Sequence, residues 1–190
     1  MRKKEKITVA VLFDALKELN NSNDRSLAIV GATLIESLLE NLIKSYLVDD
    51  KSEVDKFIND NDFSSNIQLA YCLGLISKDE FKDFNCIRKI RNMFAHKLSA
   101  TNLNSDAIRS KSESFIINKR MSYKNDNLRE ILLSMYLLFS FQLIWRNRKI
   151  KRCEVLKDDG YEKIKKNLEN IASKFGDILN YFADFYKKTT

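Results

Sequence analysis

The chain has 190 residues, 44% of them hydrophobic and 31% charged, which is the balance of a folded globular protein and excludes a disordered or fibrous one. Proline is absent and glycine occurs four times, so the residues that make sheet turns and corners are nearly missing and the chain reads as all-α. Basic residues number 33 against 26 acidic ones, a net charge of +7 that favours polyanions such as RNA, DNA or an acidic membrane surface without choosing among them.

The amino terminus, MRKKEKITVAVLFDALKEL, is basic and then apolar. The apolar run is short, Asp14 and Glu18 follow at once, and no small-residue cleavage site appears, so it reads as a first helix over residues 8–19 and not as a signal peptide. NSND supplies N-cap residues for a long second helix over 25–47. Residues 49–62 read as a loop around one short helix. FSSNIQLAYCLGLI reads as a third helix that ends near Gly74, where glycine commonly caps a C-terminus.

Ser77 and Glu80 match the capping box S-x-x-E, which opens a helix carrying FKDFNCIRKIRNMFAH and fraying near His96. KLSATNLNSD is a loop, AIRSKSESFIIN a shorter helix, and KRMSYKND a linker. NLREILLSMYLLFSFQLIWRNRKIK follows. Its most apolar part, 131–145, is shorter than the ~18 residues that span a bilayer and reads as a buried core helix.

A final helix starts at about Tyr161. Tyr161, Ile164, Leu168, Ile171, Phe175, Ile178, Phe182 and Phe185 alternate spacings of three and four, as in heptads. Packing along the protein's own bundle and a dimer seam both fit this stripe, and the large aromatics favour the first. The whole chain reads as one all-helical domain, with a core over about 7–152 and the C-terminal helix over about 155–187.

Cys72, Cys86 and Cys153 are odd in number and lack zinc spacing, as expected of reduced thiols in a cytoplasmic protein. With a single histidine, zinc clusters are excluded, and no glycine-rich phosphate loop is present, so neither a metal nor a cofactor is implied.

That histidine, His96, lies in IRKIRNMFAH. With Ile87 as the zero of a helical wheel at about 100° per residue, Ile90 and Phe94 fall within about 60° of it and define a core stripe. Arg91 lies at about 40°, Arg88 at about 100°, Asn92 at about 140° and His96 at about 180°. Arg88, Asn92 and His96 are successive i, i+4 neighbours, so one arc carries two guanidiniums, an amide and an imidazole. Arginine holds phosphate and stabilises a charged transition state, and histidine moves protons near neutral pH. RNA brings its own nucleophile, the 2′-hydroxyl, so this set suits metal-free phosphodiester cleavage. A solvated helix face is the bland alternative.

Arg25 and Glu36 lie on one edge of the second helix, and Glu40 continues that edge. A charged line on an apolar helix needs partners. Arg25 and Glu36 would hold the second and fourth helices together, or else Asp24, Arg25 and Glu36 would complete a pocket around Arg91 and His96, a carboxylate orienting the imidazole. WRNRKIKR holds a further basic cluster, Arg146, Arg148, Lys149, Lys151 and Arg152. Completing the helix dipole and tracking a phosphate backbone, with Trp145 or Tyr136 as a stacking surface, explain it equally.

IRKIRNMFAH resembles the R-x4-H motif of the HEPN superfamily, in which asparagine often follows the arginine. The resemblance implies an all-helical, HEPN-like bundle and maps Arg91, Asn92 and His96 onto the motif. It further implies a metal-independent endoribonuclease of toxin–antitoxin or phage-defence type, with two motifs facing each other across a homodimer and an antitoxin or other regulatory protein as a possible partner. Residues 24–96 (DRSLAIVGATLIESLLENLI, FSSNIQLAYCLGLIS, IRKIRNMFAH) are also similar in order to the mannitol operon repressor family. That similarity implies instead a non-catalytic transcriptional regulator or scaffold acting through protein contacts. Relatives often carry a basic residue in the FSxxI stretch, where this chain has Ser65 and Asn66, a departure that speaks against anion binding by this stretch.

Overall fold

The computed structural model describes residues 9–96, 102–103, 105–112, 115–116, 119, 127–155, 163, 165–171, 173–174 and 176. Among the described residues, helices with defined bounds follow in chain order: α1 Val9–Asn21, α2 Asp24–Tyr46, α3 Lys51–Asn59, α4 Phe63–Cys72, α5 Lys78–His96, α6 Asp106–Ser112 and α7 Leu128–Lys149. Among the described residues there is no strand, and the protein is an all-α helical bundle. The chain divides into two compact units, residues 1–153 and 154–190.

Local chemistry sets each helix end. The side chains of Asn23, Asp50, Asp62 and Asn127 accept the backbone N–H groups of Ser26, Glu53, Ser65 and Arg129 and so satisfy otherwise unpaired first-turn donors. The capping box forms as its sequence implies: Glu80 accepts the Ser77 N–H at 2.7 Å, and the Glu80 N–H donates to Ser77 Oγ at 3.3 Å. Helix α4 stops at Cys72, next to Gly74 as the sequence implies, because Gly74 takes φ of 70°. The Leu75 N–H then reaches Ala70 O at 2.9 Å and the Gly74 N–H reaches Tyr71 O at 3.0 Å, a Schellman closure that ends the helix.

Helix α2 lies at the centre, against α1, α4, α5 and α7. Its crossing with α7 depends on Gly31, since a Cβ there would stand 2.2 Å from Tyr136 Cε2. Tyr136 is fully buried, Phe84 of α5 packs edge-on against Phe139 of α7 at 4.6 Å, and Ile35, Leu39, Leu42 and Ile43 fill the space between. Burying each such side chain contributes about 1.5–3 kcal/mol.

Helices α2 and α7 are both long and apolar enough to cross a membrane by length and composition, α7 running to 22 residues where its apolar sequence alone counts fewer. Both carry core side chains here: Leu27, Ile35 and Leu39 from α2, and Leu132, Phe139 and Leu143 from α7. The loop expected over 97–106 and the linker over 119–126 lie largely outside the described residues, as does much of the helix expected over 107–118 beyond α6.

In the second unit the described residues from 163 onward are helical. Leu168 and Ile171, placed by the heptad pattern in a packed seam, are 61% and 53% exposed. The other members of the stripe lie outside the residues whose side chains are described.

Candidate functional site

Helix α5 is held along its whole length by a buried stripe of Phe84, Ile87, Ile90 and Phe94, none of them accessible to solvent. The stripe matches the sequence wheel and fixes which way the polar arc faces. The helix is continuous through His96, its last residue, so it does not loosen before the motif's histidine. Arg88, Arg91 and Asn92 are half-buried, whereas His96 is exposed.

The two guanidiniums engage neighbours on their own helix. Arg91 Nη1 donates to Asn92 Oδ1 at 3.1 Å, and Arg88 Nε and Nη2 each lie 3.4 Å from Asn85 Oδ1. Across the helix interface their charge acts on two carboxyl groups, Glu36 and Asp62. Burial raises the Glu36 carboxyl above its ordinary value, the nearby Arg91 guanidinium opposes that rise, and Glu40 and Asp62 add to it. Asp62, at the N-cap of α4, is held low by hydrogen bonds from Ser65, with a smaller contribution from Arg88. Glu36, Glu40, Asp62, Arg88 and Arg91 thus lie near enough to feel one another's charge where α2, α4 and α5 meet, although none of them forms an ion pair among the described residues.

Of Asp24, Arg25 and Glu36, the three residues expected to complete this pocket, the structure brings Glu36 near Arg91. Asp24 is twelve residues before Glu36, about 18 Å along α2. Its oxygens are taken elsewhere: Oδ1 pairs with Arg129 at 2.8 Å, and Oδ2 accepts the Leu103 N–H at 3.0 Å. Arg129 also donates to the carbonyls of Leu19, Asn20 and Ser22, which closes the end of α1. Asp24 is thus a structural anchor between α1, α2 and α7 and does not orient His96. Arg25 and Glu36 form no ion pair, because residues eleven apart on one helix are separated by about 16 Å whatever their angular alignment.

Two residues of this region take places that the sequence did not give them. Asp62 carries the N-cap signal before FSS, and that signal alone does not show that it also faces Arg88 and Glu36. Asn66, one turn further along α4, is fully buried, and neither its amide nitrogen nor its oxygen has a hydrogen-bond partner among the described residues.

The basic cluster does not form one track. Arg146 reaches back to the start of α5, pairing with Glu80 at 2.8 Å and lying 3.3 Å from Leu75 O. Arg152 pairs with Asp49, and Arg148 lines a cleft between α2, α3 and α7. Lys149 sits over the Trp145 ring at 4.2 Å, and Lys151 is exposed. The expected common surface of five cations is divided, because α7 ends at Lys149 and the chain beyond it turns back onto α2, with the Cys153 N–H donating to Tyr46 O at 2.7 Å. Tyr136, one of the two stacking surfaces considered, is buried in the core, while Trp145 is 58% exposed.

No protein-family model matches this chain, no curated protein matches it, and no solved structure matches it.

Proposed function

We propose that this protein is a metal-independent endoribonuclease of the HEPN type, working as a homodimer in the cytoplasm with composite sites built from two copies of α5. The observation that carries this reading is the continuity of α5 through His96. On an unbroken helix Arg91 and His96 are about 7.5 Å apart along the axis and about 140° apart around it. One copy therefore offers a phosphate-binding group and a proton-transfer group that do not converge, and a second copy supplies the missing partner for each.

In such a site the His96 imidazole takes the proton of the RNA 2′-hydroxyl, and the 2′-oxygen attacks the adjacent phosphorus. The bond to the 5′-oxygen breaks, and that oxygen takes the proton back from the His96 imidazolium. The products are a 2′,3′-cyclic phosphate and a 5′-hydroxyl. Arg91 neutralises the charge that grows on the non-bridging oxygens, Asn92 holds Arg91 in place, and Arg88, Lys149 and Lys151 hold the backbone on either side. The biological setting is a toxin or phage-defence effector, restrained by an antitoxin or another regulatory protein.

The test is incubation of purified protein with total RNA in the presence of EDTA. Cleavage that leaves 2′,3′-cyclic ends and vanishes in His96→Ala supports the enzyme. No cleavage by an intact dimer overturns it in favour of the second reading, a regulator or scaffold acting through protein contacts. That alternative draws on the exposed apolar side chains of Phe13, Val30, Phe141 and Trp145, the kind of surface that recruits partners.

A further inference from the structure

Helix α7 is apolar on two sides. Its core side chains Leu132, Phe139 and Leu143 lie within about 20° of the direction opposite Phe141, whereas Leu138, Trp145 and Arg148 lie within about 60° of Phe141 itself. The outward side is not covered: Phe141 is 37% exposed, Trp145 is 58% exposed and Leu138 is half-buried. Phe13, 53% exposed on α1, sets its ring edge-on to Phe141 at 5.9 Å and widens the ridge.

Charge marks one end of this ridge. Lys149 stands over the Trp145 ring at 4.2 Å, Arg148 follows Phe141 two turns later on nearly the same line, and Lys151 is exposed just beyond. These three cations form no ion pair among the described residues, while Arg146 and Arg152 are taken by Glu80 and Asp49. From 131 to 152 the sequence has five cations and no carboxylate. On α1, Lys17 is exposed within about 40° of Phe13, and Asp14 and Glu18 lie about 100° to 140° round that helix. Over about 12 Å of α7 the surface thus passes from bare aromatic rings to unpaired cations.

We propose that this ridge docks the protein on the surface of a bilayer rich in anionic phospholipid. Such a surface offers both environments side by side: an acyl boundary for Phe13, Phe141 and Trp145, and a layer of phosphates for Arg148, Lys149 and Lys151. Tryptophan settles at the headgroup level, and a lysine stacked over it keeps its ammonium in water while its stem lies along the ring. Helix α7 lies in the interface and does not span the bilayer, since its inner side carries the core. A second copy is the poorer occupant: it brings the same three unpaired cations, and each chain has a net charge of +7. This goes beyond RNA cleavage at the α5 arc. Lys149 and Lys151 serve RNA in that reading, so the aromatic side chains, which have no part in it, decide the matter.

Trp145 is the only tryptophan of the chain, so its emission reports this contact directly. Titration of the full chain with vesicles of equimolar phosphatidylcholine and phosphatidylglycerol, and separately of phosphatidylcholine alone, tests it. The expected result is a blue shift with the anionic vesicles and binding about tenfold or more tighter than to the neutral ones. Phe141→Ser and Phe13→Ser, each with its melting temperature checked, are expected to weaken that binding about tenfold. Arg148→Glu weakens it similarly, and so does raising the salt concentration. The proposal is overturned if the anionic vesicles are not bound, if they are bound without a blue shift, or if folded Phe141→Ser binds them as well as the parent. The last two results would mean an electrostatic contact alone. A blue shift that grows with protein concentration in lipid-free buffer and vanishes in Phe141→Ser also overturns it and makes the ridge an interface between copies.

Discussion

The Glu80 carboxylate closes the capping box of α5 and also meets the Arg146 guanidinium at 2.8 Å, so one buried side chain ties the start of α5 to the last turn of α7. Glu80 is only 3% exposed, and Arg146 is the charge that balances it there. Arg146→Ala is expected to destabilise the fold by about 1–3 kcal/mol, because a buried carboxylate loses a partner. Chemical denaturation measures this directly. If Arg146 served only to contact RNA, the variant would unfold at the parent's denaturant concentration.

Gly31 and Tyr136 make a second prediction. Gly31→Ala places a methyl group 2.2 Å from the Tyr136 ring, in a core where neither backbone can move freely. A loss of about 3 kcal/mol or more is expected. Combining it with Tyr136→Ala should cost less than the sum of the two single changes, since the clash disappears. Tyr136→Phe alone should raise stability by about 1 kcal/mol, because the buried hydroxyl has no partner among the described residues. Melting temperatures of the four variants decide the matter.

Glu36 supplies a pH dependence. Burial raises its carboxyl above 4.5 more strongly than Arg91 lowers it, so the native state holds this proton more tightly than the unfolded chain. Its contribution to stability is therefore fully present below about pH 4.5 and is lost as pH rises through the native value. Glu36→Gln should melt above the parent at pH 7, with the difference shrinking as pH falls below about 4.5. A variant that melts lower than the parent at pH 7 would show instead that the attraction to Arg91 dominates.

A composite site predicts complementation. Arg91→Ala and His96→Ala should each abolish RNA cleavage. When the two are unfolded and refolded together, half of the dimers are mixed, and one of the two sites in each regains an intact arginine and histidine. Cleavage should recover to about a quarter of the parent's rate. No recovery, with mixed dimers demonstrated by mass spectrometry, would show that arginine and histidine must come from the same chain.

Much of this architecture is legible along the chain because it depends on neighbours within a turn or two. The helix starts at Asn23, Asp62 and Ser77, the stop at Gly74, and the buried stripe of Ile87, Ile90 and Phe94 follow from capping chemistry and from the helical period. The polar arc of Arg88, Arg91, Asn92 and His96 follows from the same period. What period cannot give is distance between elements. Arg25 and Glu36 share an edge of α2, yet an edge is not a contact when eleven residues of rise intervene.

By itself, then, the sequence determined the all-α class, the helix boundaries and the face of α5 on which the motif lies, since each is decided by interactions over three or four residues. Only the tertiary structure decided the partners. It sent Asp24 to Arg129, 105 residues away, and turned Arg146 inward to Glu80. It brought Glu36 rather than Asp24 to Arg91, and it left His96 at an exposed helix end. Long-range pairs form only where packing of whole helices sets the separation and burial makes an unpaired charge costly, and neither quantity is written in local spacing.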